Sequence, residues 1–149
     1  MVAVPQSYWT QENNRISALK YVFEVELQWS IDDIKEKLDW EIMKKQGVYT
    51  LHSYYPSIHR ICNVLYPGII NPWELRHAEV SDYFWQDINN RKNAVKWLVQ
   101  EKLKLNHTQI SSRLKKEHFS QYGLTELFSN QYNRSVKKAI NEVFPESEG

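Results

Sequence analysis

The amino-acid sequence predicts an all-α fold made of two tandem repeats of about five short helices each, packed on one another. Matching residues recur at a spacing of 76, as Trp9 does at Trp85 and Gly47 does at Gly123. Apolar residues recur at the spacing of a helix face, and no alternating stretch is long enough to predict a strand. Because a repeat fixes the architectural unit, a side chain kept in both copies serves something that the unit needs.

The repeat also sets the expected domain boundaries. Residues 1–70 are predicted to form the first repeat, residues 71–80 a junction containing Pro-Trp-Glu-Leu, and residues 81–149 the second repeat with a short flexible C-terminal tail. Within the junction, Trp73 is expected to pack one repeat against the other, with stacking on a ligand as the alternative. Units of this size are near the lower limit for folding alone, which favours such packing.

The first long helix of each copy is predicted from apolar residues at one helical face. These residues are Leu19, Val22, Phe23 and Leu27 in the first copy and Val95, Leu98, Val99 and Leu103 in the second. Asn-Asn pairs at 13–14 and 89–90 have the residue type that caps a helix start, so the helix is expected to begin there. Tyr21 and Trp97 lie off the apolar stripe, which predicts that this helix buries two faces.

Local signals place the remaining helices. Ser30 and Asp33 have the spacing of a capping box, which predicts a helix start at Ser30. Gly47 is predicted to follow the C-terminus of the next helix, because glycine readily adopts the left-handed conformation found there, and the same holds for Gly123. The last helix of the first copy is predicted to begin at Ser57, a good N-cap, as its counterpart does in the second copy.

The composition limits the class of protein. No apolar run approaches the roughly 18 residues of a membrane span, and the first residues lack the basic and apolar regions of a signal peptide. The single cysteine, Cys62, cannot form an internal disulfide, which fits a reducing compartment. It aligns with Ile140 and is predicted to be a small buried hydrophobe, with a reactive thiol as the alternative. We therefore expect a cytoplasmic protein.

No motif in the sequence predicts catalysis, a metal or a cofactor. None of the five histidines recurs at its counterpart position, and no metal-ligand spacing, glycine-rich phosphate loop or nucleophile arrangement is present. Glu41 and Glu117 do recur, but the helix dipole explains a carboxylate near a helix start. We expect a protein that is not an enzyme, with no metal, no cofactor, no small-molecule substrate and no membrane partner.

Four short motifs accompany the repeat: Asn-Asn-Arg at 13–15, Lys-Tyr-Val at 20–22, Tyr-Pro-Gly at 66–68 and Pro-Trp-Glu-Leu at 72–75. Together they resemble tandem-repeat helical proteins of uncharacterised function from Bacillus and its phages. The resemblance implies tandem helical modules and carries no activity or catalytic residue. Residues 30–46 are also similar to helix-turn-helix units, which implies helix-turn-helix-like repeats.

Basic residues are the best candidates for a functional surface. Residues 1–80 carry 8 Lys or Arg against 10 Asp or Glu, and residues 81–149 carry 11 against 8, so a polyanion should contact mainly the second copy. We expect a non-enzymatic, regulatory DNA-binding protein, although a solvated basic face is the simpler interpretation of the same charges. The side chains expected to contact phosphate are Lys37, Arg60, Arg113, Lys115, Lys116, Arg134, Lys137 and Lys138. Gln109 and Asn133 are candidates for base contacts.

Two further arginines, Arg15 and Arg91, recur beside helix starts. A positive charge is unfavourable there, so another group should hold each side chain. A salt bridge within the unit is the first interpretation, and a phosphate contact is the alternative.

The alternative function is a protein-interaction module that binds and inhibits or recruits a host protein. A near-neutral charge and a 13% aromatic content suit this function, because interface cores favour Tyr, Trp and Arg. The candidate residues for it are Trp40, Tyr49, His52, Tyr54 and Tyr55.

Overall fold

The computed structural model describes residues 5–147, and every regular element in that range is a helix, which confirms the all-α class. By its internal contacts the chain divides into two units, Met1–Glu79 and Val80–Gly149. The predicted packing of one repeat on the other stays a prediction. Residues 148–149, which belong to the predicted flexible tail, lie outside the described residues. So do residues 1–4, which belong to the segment that was compared with a signal peptide.

The helices of the first unit are α1 (Glu12–Lys20), α2 (Ile31–Lys37), α3 (Trp40–Lys45) and α4 (Ile58–Leu65), with 3₁₀ turns at Gln6–Thr10, Tyr49–Ser53 and Pro72–Glu74. Those of the second unit are α5 (Asp82–Gln86), α6 (Ile88–Lys96), α7 (Ile110–Arg113), α8 (Lys116–Gln121), α9 (Thr125–Gln131) and α10 (Val136–Val143), with a 3₁₀ turn at Pro145–Ser147. Helices α1 and α6 each continue into a π-helical segment, Tyr21–Glu26 and Trp97–Lys102.

The backbone ends of these two long helices recur in detail at the spacing of 76. The amide of Leu27 donates to the carbonyl of Val22 at 2.9 Å, and the amide of Leu103 donates to that of Leu98 at the same distance. The residue after each end, Gln28 or Lys104, has φ of 54°. The left-handed region normally favours glycine, so both units accept the same local strain to end this helix.

Most of the predicted helix signals are confirmed. Ser30 and Asp33 form a capping box, with the Ser30 amide 3.0 Å from the Asp33 carboxylate and the Asp33 amide 3.1 Å from the Ser30 hydroxyl. Ser57 accepts from the amide of Arg60 at 3.1 Å, and Ser135 caps α10 in the same way. Both predicted glycines are left-handed, with φ of 75° and 80°.

Two expectations about the long helix are only partly confirmed. The helix begins close to each Asn-Asn pair, at Glu12 and at Ile88. The N-cap residues are Gln11 and Asp87, however, and the side chain of Asn14 donates to the carbonyl of Tyr8. In the second unit the helix does bury a second face, since Trp97 is 9% exposed. In the first unit it does not, since Tyr21 at the counterpart position is 51% exposed. Sequence periodicity places both residues off the stripe but does not say whether another element covers them.

The two extra residues of the second unit lengthen one helix. The 3₁₀ turn Tyr49–Ser53 and helix α9 start 76 residues apart and end 78 residues apart. The spacing is then 78 for α4 and α10. The insertion is therefore absorbed before the last helix, and the core positions of that helix keep their register.

The core of the first unit includes residues from the predicted junction. Ile70 and Leu75 are buried in the same hydrophobic cluster as residues of α1 to α4. The amide of Arg76 donates to the carbonyl of Lys35 on α2 at 2.9 Å. We call residues 70–78 the strap; it folds onto α2 and belongs to the first unit. Trp73 on the strap is buried, and its predicted part in joining the repeats stays a prediction.

No helix within residues 5–147 is both long and apolar enough to cross a membrane. Cys62 is a free thiol that is 1% exposed, as expected for a small buried hydrophobe. Burial raises its pKa to about 12, so the thiol is inert at neutral pH.

Candidate nucleic-acid interface

The Asn-Arg pair at the start of each long helix fastens the preceding aromatic pair to that helix. Arg15 donates through Nη1 to the carbonyl of Trp9 at 2.6 Å, and Arg91 donates to that of Trp85 at 2.8 Å. Asn14 and Asn90 donate to the carbonyls one residue earlier, both at 2.9 Å. These contacts give the recurring motif a structural role within each unit.

In the second unit the predicted salt bridge is present. Arg91 donates through Nε and Nη2 to the two carboxylate oxygens of Glu142 on α10, at 3.0 and 2.7 Å. Tyr132 donates its hydroxyl to the same carboxylate at 2.5 Å. The hydrogen bonds from Arg91 lower the pKa of Glu142, while burial and the contact with Glu142 raise the pKa of Tyr132.

In the first unit the counterpart arginine has tyrosine partners. Arg15 donates through Nε to the hydroxyl of Tyr55 at 3.0 Å, and its guanidinium lies 4.3 Å from the ring centre of Tyr54. Val64 stands where Glu142 stands in the second unit. The expected salt bridge is therefore confirmed for Arg91, whereas among residues 5–147 Arg15 has no such ion pair.

Three of the predicted phosphate contacts lie between α7 and α8. Arg113 is the last residue of α7, Lys115 the N-cap residue of α8 and Lys116 its first residue. All three side chains are exposed and form no ion pair with any residue between 5 and 147. Nearby, His118 accepts the Lys115 amide on Nδ1 at 3.0 Å, which supplies the cap that Lys115 cannot.

The other predicted contacts of the second unit lie at the start of α10, which packs against α7. Arg134, Lys137 and Lys138 are exposed. Asn133 and Arg134 have φ of 50° and 59°, two consecutive left-handed residues without a glycine. Such a backbone costs on the order of 1 kcal/mol per residue or more and tends to be found at functional sites. Neither Arg134 nor Lys138 forms an ion pair within the described residues.

The cations on α2, the counterpart of α7 in the first unit, are paired with carboxylates. Lys37 lies 3.5 Å from the carboxylate of Asp33, and Lys35 lies 2.7 Å from that of Glu74 on the strap. Arg76 of the strap pairs with Glu36 on α2. Lys37 is thus a weaker phosphate candidate than its counterpart Arg113; Arg60 is exposed in the first turn of α4.

Of the two residues predicted to contact bases, Gln109 already has a hydrogen-bond partner within the fold. The side-chain oxygen of Gln109 accepts the amide of Asn106 at 3.0 Å, and Gln109 is half-buried. Asn133 is exposed on the left-handed turn. Gln109 thus stabilises the turn that precedes α7, and its side-chain oxygen is not free to contact a base.

The five aromatic candidates of the first unit separate into two groups. Trp40, Tyr49 and His52 form one cluster: Trp40 is edge-on to the other two rings, at 6.0 and 6.4 Å, and the Tyr49 and His52 rings stack at 4.7 Å. Tyr54 and Tyr55 contact Arg15 instead. Tyr55 is 6% exposed and is therefore too buried to contact a protein partner.

A lysine beside this cluster was not among the residues predicted from sequence. The ammonium of Lys44 lies 4.9 Å from the ring centre of Tyr49, and Lys45 follows it at the end of α3. Both lysines are exposed. The available signal was the spacing of Trp40 and Lys44, which places both side chains on one face of the helix. Among the described residues, no group of three His, Cys, Asp or Glu side chains could hold a metal ion.

Comparison with known proteins identifies the family of this chain. No curated protein and no solved structure matches the chain. One family matches residues 72–149, just over half of the chain, beginning at the first residue of the strap's 3₁₀ turn. The chain belongs to that family, which is described as "Protein of unknown function (DUF4046)".

Proposed function

We propose that the second unit binds the phosphate backbone of nucleic acid, with DNA as the expected ligand, and that the protein is not an enzyme. The observation that supports this is a set of exposed cations without ion pairs in the described chain, at the end of α7, the start of α8 and the start of α10. Helices α7 and α10 pack together. The set consists of Arg113, Lys115, Lys116, Arg134 and Lys138. Lysine and arginine contacts to phosphate fix the position of a protein on nucleic acid and supply much of its affinity.

The first unit provides the contrast that favours a ligand over a merely solvated face. On α2, both lysines have carboxylate partners, one from the helix itself and one from the strap. On α7, the positions of Asp33 and Glu36 are held by Gln109 and Ser112, so the partner carboxylates are missing. Unpaired like charges repel one another, and a polyanion relieves that repulsion.

The finer features of the proposal come from sequence. In each unit two short helices are joined by two extended residues, α2 to α3 and α7 to α8, and we assign them a helix-turn-helix-like role with α8 against the nucleic acid. We also propose a regulatory role in a Bacillus or phage setting; the sequence resemblance suggests the setting but carries no activity. The single buried thiol fits a reducing compartment such as the cytoplasm.

A binding titration over a range of salt concentrations tests the proposal. A labelled 20-base-pair duplex is titrated with the full chain by fluorescence anisotropy. If four to six phosphates are neutralised, log K falls against log salt with a slope of roughly −4 to −5. Replacing Arg113, Lys116 and Lys138 by Gln is expected to weaken binding and to reduce that slope by about one for each phosphate contact removed.

A matched control is available in the first unit. Lys37→Gln removes the cation at the counterpart of Arg113, and we expect this variant to retain most of the affinity because Lys37 is already paired with Asp33. No binding at low salt, or a slope that is flat and unaffected by any of the substitutions, would contradict the proposal. A loss for Lys37→Gln as large, per residue, as that in the second unit would place binding on both units.

The alternative function is binding of a host protein through aromatic residues of the first unit. Fewer of the residues predicted for it are available to contact a partner. Tyr54 and Tyr55 are engaged by Arg15. Of the remaining rings, Tyr49 lies beside the ammonium of Lys44. Cations are depleted at the cores of most protein interfaces apart from Arg, which favours an anionic ligand at these rings over an apolar protein surface.

A further inference from the structure

We infer that the aromatic cluster of the first unit, formed by Trp40, Tyr49 and His52, stacks on unpaired bases, so that the preferred nucleic acid is single-stranded or contains unpaired nucleotides. This inference rests on the proposed function and specifies its ligand. Three properties of the cluster carry it: its place in the repeat, the arrangement of its rings and the charges beside it.

The first property is position. Trp40 and Lys116 are the first residues of α3 and α8, and they lie 76 residues apart. The place that carries a cation in the second unit therefore carries an indole in the first. If counterpart helices serve the same ligand, the second unit provides contacts to phosphate and the first provides contacts to the flat faces of bases.

The second property is the fixed orientation of the rings. His52 is held by a hydrogen bond between its Nδ1 and the carbonyl of Tyr49, at 2.9 Å. One face of the imidazole stacks on Tyr49, with the ring planes 25° apart, and His52 is exposed. Its second face is thus a place where a further ring can extend the stack. Trp40 closes one side, with its plane more than 80° from both rings.

The third property is charge. Lys44 and Lys45 are exposed and form no ion pair with another residue between 5 and 147. The Lys44 ammonium already lies over the Tyr49 ring, so a cation and an aromatic face are presented together. Proteins that bind single strands combine these two features, because every base has a face to stack and every nucleotide a phosphate to neutralise. A duplex hides its base faces inside the helix.

The second unit does not repeat this cluster. The counterparts of Trp40, Tyr49 and His52 at a spacing of 76 are Lys116, Thr125 and Phe128. Phe128 is 7% exposed and stacks on Phe119 within its own unit. Base stacking is therefore expected from the first unit alone, and it can be removed without changing the proposed phosphate contacts.

The test compares three labelled ligands of equal length: a 20-nucleotide single strand, the same strand with abasic sites throughout its central half, and the duplex. The single and abasic strands have the same number of phosphates, and the duplex has twice as many. The full chain is titrated with each ligand at low salt. We expect the single strand to bind at least fivefold more tightly than the abasic strand, since one base–aromatic stack is worth roughly 1 kcal/mol or more. This comparison requires no variant.

Substitutions then assign the effect to the cluster. Tyr49→Ala and His52→Ala are each expected to weaken single-strand binding by about fivefold or more and to leave duplex and abasic-strand affinities within about twofold. Tyr83→Ala is the matched control, because Tyr83 is an aromatic residue of the second unit that is 83% exposed. Far-ultraviolet circular dichroism and a thermal melt check that each variant is folded.

The possible failures are distinguishable. If wild-type protein binds the single and abasic strands equally, while the cation variants weaken binding of all three ligands, base stacking is wrong and phosphate binding stands. If the cluster variants behave like Tyr83→Ala, the rings do not contact the strand and a protein ligand becomes the better assignment for them. If no ligand binds at low salt, the proposed function and the stacking inference both fail.

Discussion

The two units hold the same arginine in different ways. Arg91 is bidentate to Glu142, which also accepts a hydrogen bond from Tyr132, whereas Arg15 donates to Tyr55 and lies over the Tyr54 ring. In both units the guanidinium also donates to the carbonyl of the buried tryptophan. The conserved task is to fasten that tryptophan segment, and the remaining partners of the arginine can change from carboxylate to aromatic as long as they satisfy its donors.

This comparison separates two kinds of cation in the second unit. The charge of Arg91 is neutralised within the fold, so the phosphate contact considered for it from sequence is replaced by an internal one. The cations around α7, α8 and α10 that lack ion pairs in the described chain are those that remain for a ligand. Recurrence alone does not distinguish these cases, because Arg91 recurs as faithfully as any of the others.

Removing the Glu142 charge should have the largest effect on stability. Glu142→Gln leaves the Arg91 guanidinium, 15% exposed, without its charged partner. We expect a loss of about 2–3 kcal/mol, because hydrogen bonds to charged groups are strong and a half-buried charge without a partner is costly. Tyr55→Phe removes the matching acceptor in the first unit and should cost only about 1 kcal/mol. Urea unfolding of both variants measures the difference, and equal losses would contradict the comparison.

The same carboxylate predicts a difference in acid sensitivity. The pKa of Glu142 is below its ordinary value of 4.5, chiefly because Arg91 donates to the charged form. A lowered carboxylate pKa contributes stability that is present above pH 4.5 and is lost as the pH falls through the lowered value. Between pH 6 and pH 3, the free energy of unfolding of the wild type should fall more steeply than that of Glu142→Gln. Parallel curves would show that the pair contributes nothing to acid unfolding.

The smallest expected effect tests whether the two long helices end alike. Gln28 and Lys104 both have φ of 54° after the π-helical segments. Gln28→Gly and Lys104→Gly should each stabilise the protein by about 0.5–1 kcal/mol, because glycine adopts this conformation without the cost that a Cβ atom imposes. Thermal or urea unfolding measures it. Stabilisation by one substitution and destabilisation by the other would mean that the two ends are not equivalent.

The parts of the fold that sequence predicts are those decided by local chemistry. The Ser30–Asp33 capping box, the serine caps of the last helices and the two left-handed glycines each depend on residues within a few positions of one another. The partner of Arg91, by contrast, lies 51 residues away on another helix. No local pattern indicates which carboxylate reaches it, or that a tyrosine takes the same part in the first unit.

Prediction of the candidate site is limited for the same reason. The basic residues of the second unit were identified from charge alone, and the structure adds which of them have partners inside the fold. Trp40, Tyr49 and His52 come together because the 3₁₀ turn Tyr49–Ser53 folds back on α3. Tyr54 and Tyr55, only two or three positions later, are drawn to Arg15 instead. Residue type alone could not separate the rings that form this cluster from those that pack against Arg15.

The strap has a practical consequence for dissecting the protein. The family match begins at Pro72, yet Leu75 completes the first unit's core and Glu74 pairs with Lys35 on α2. A fragment cut at the edge of the family match would carry the strap away from the helices that bury it and leave the amino-terminal half with an opened core. Cleavage between Glu79 and Val80 leaves each half with its own interior, and that is where the halves should be separated for study.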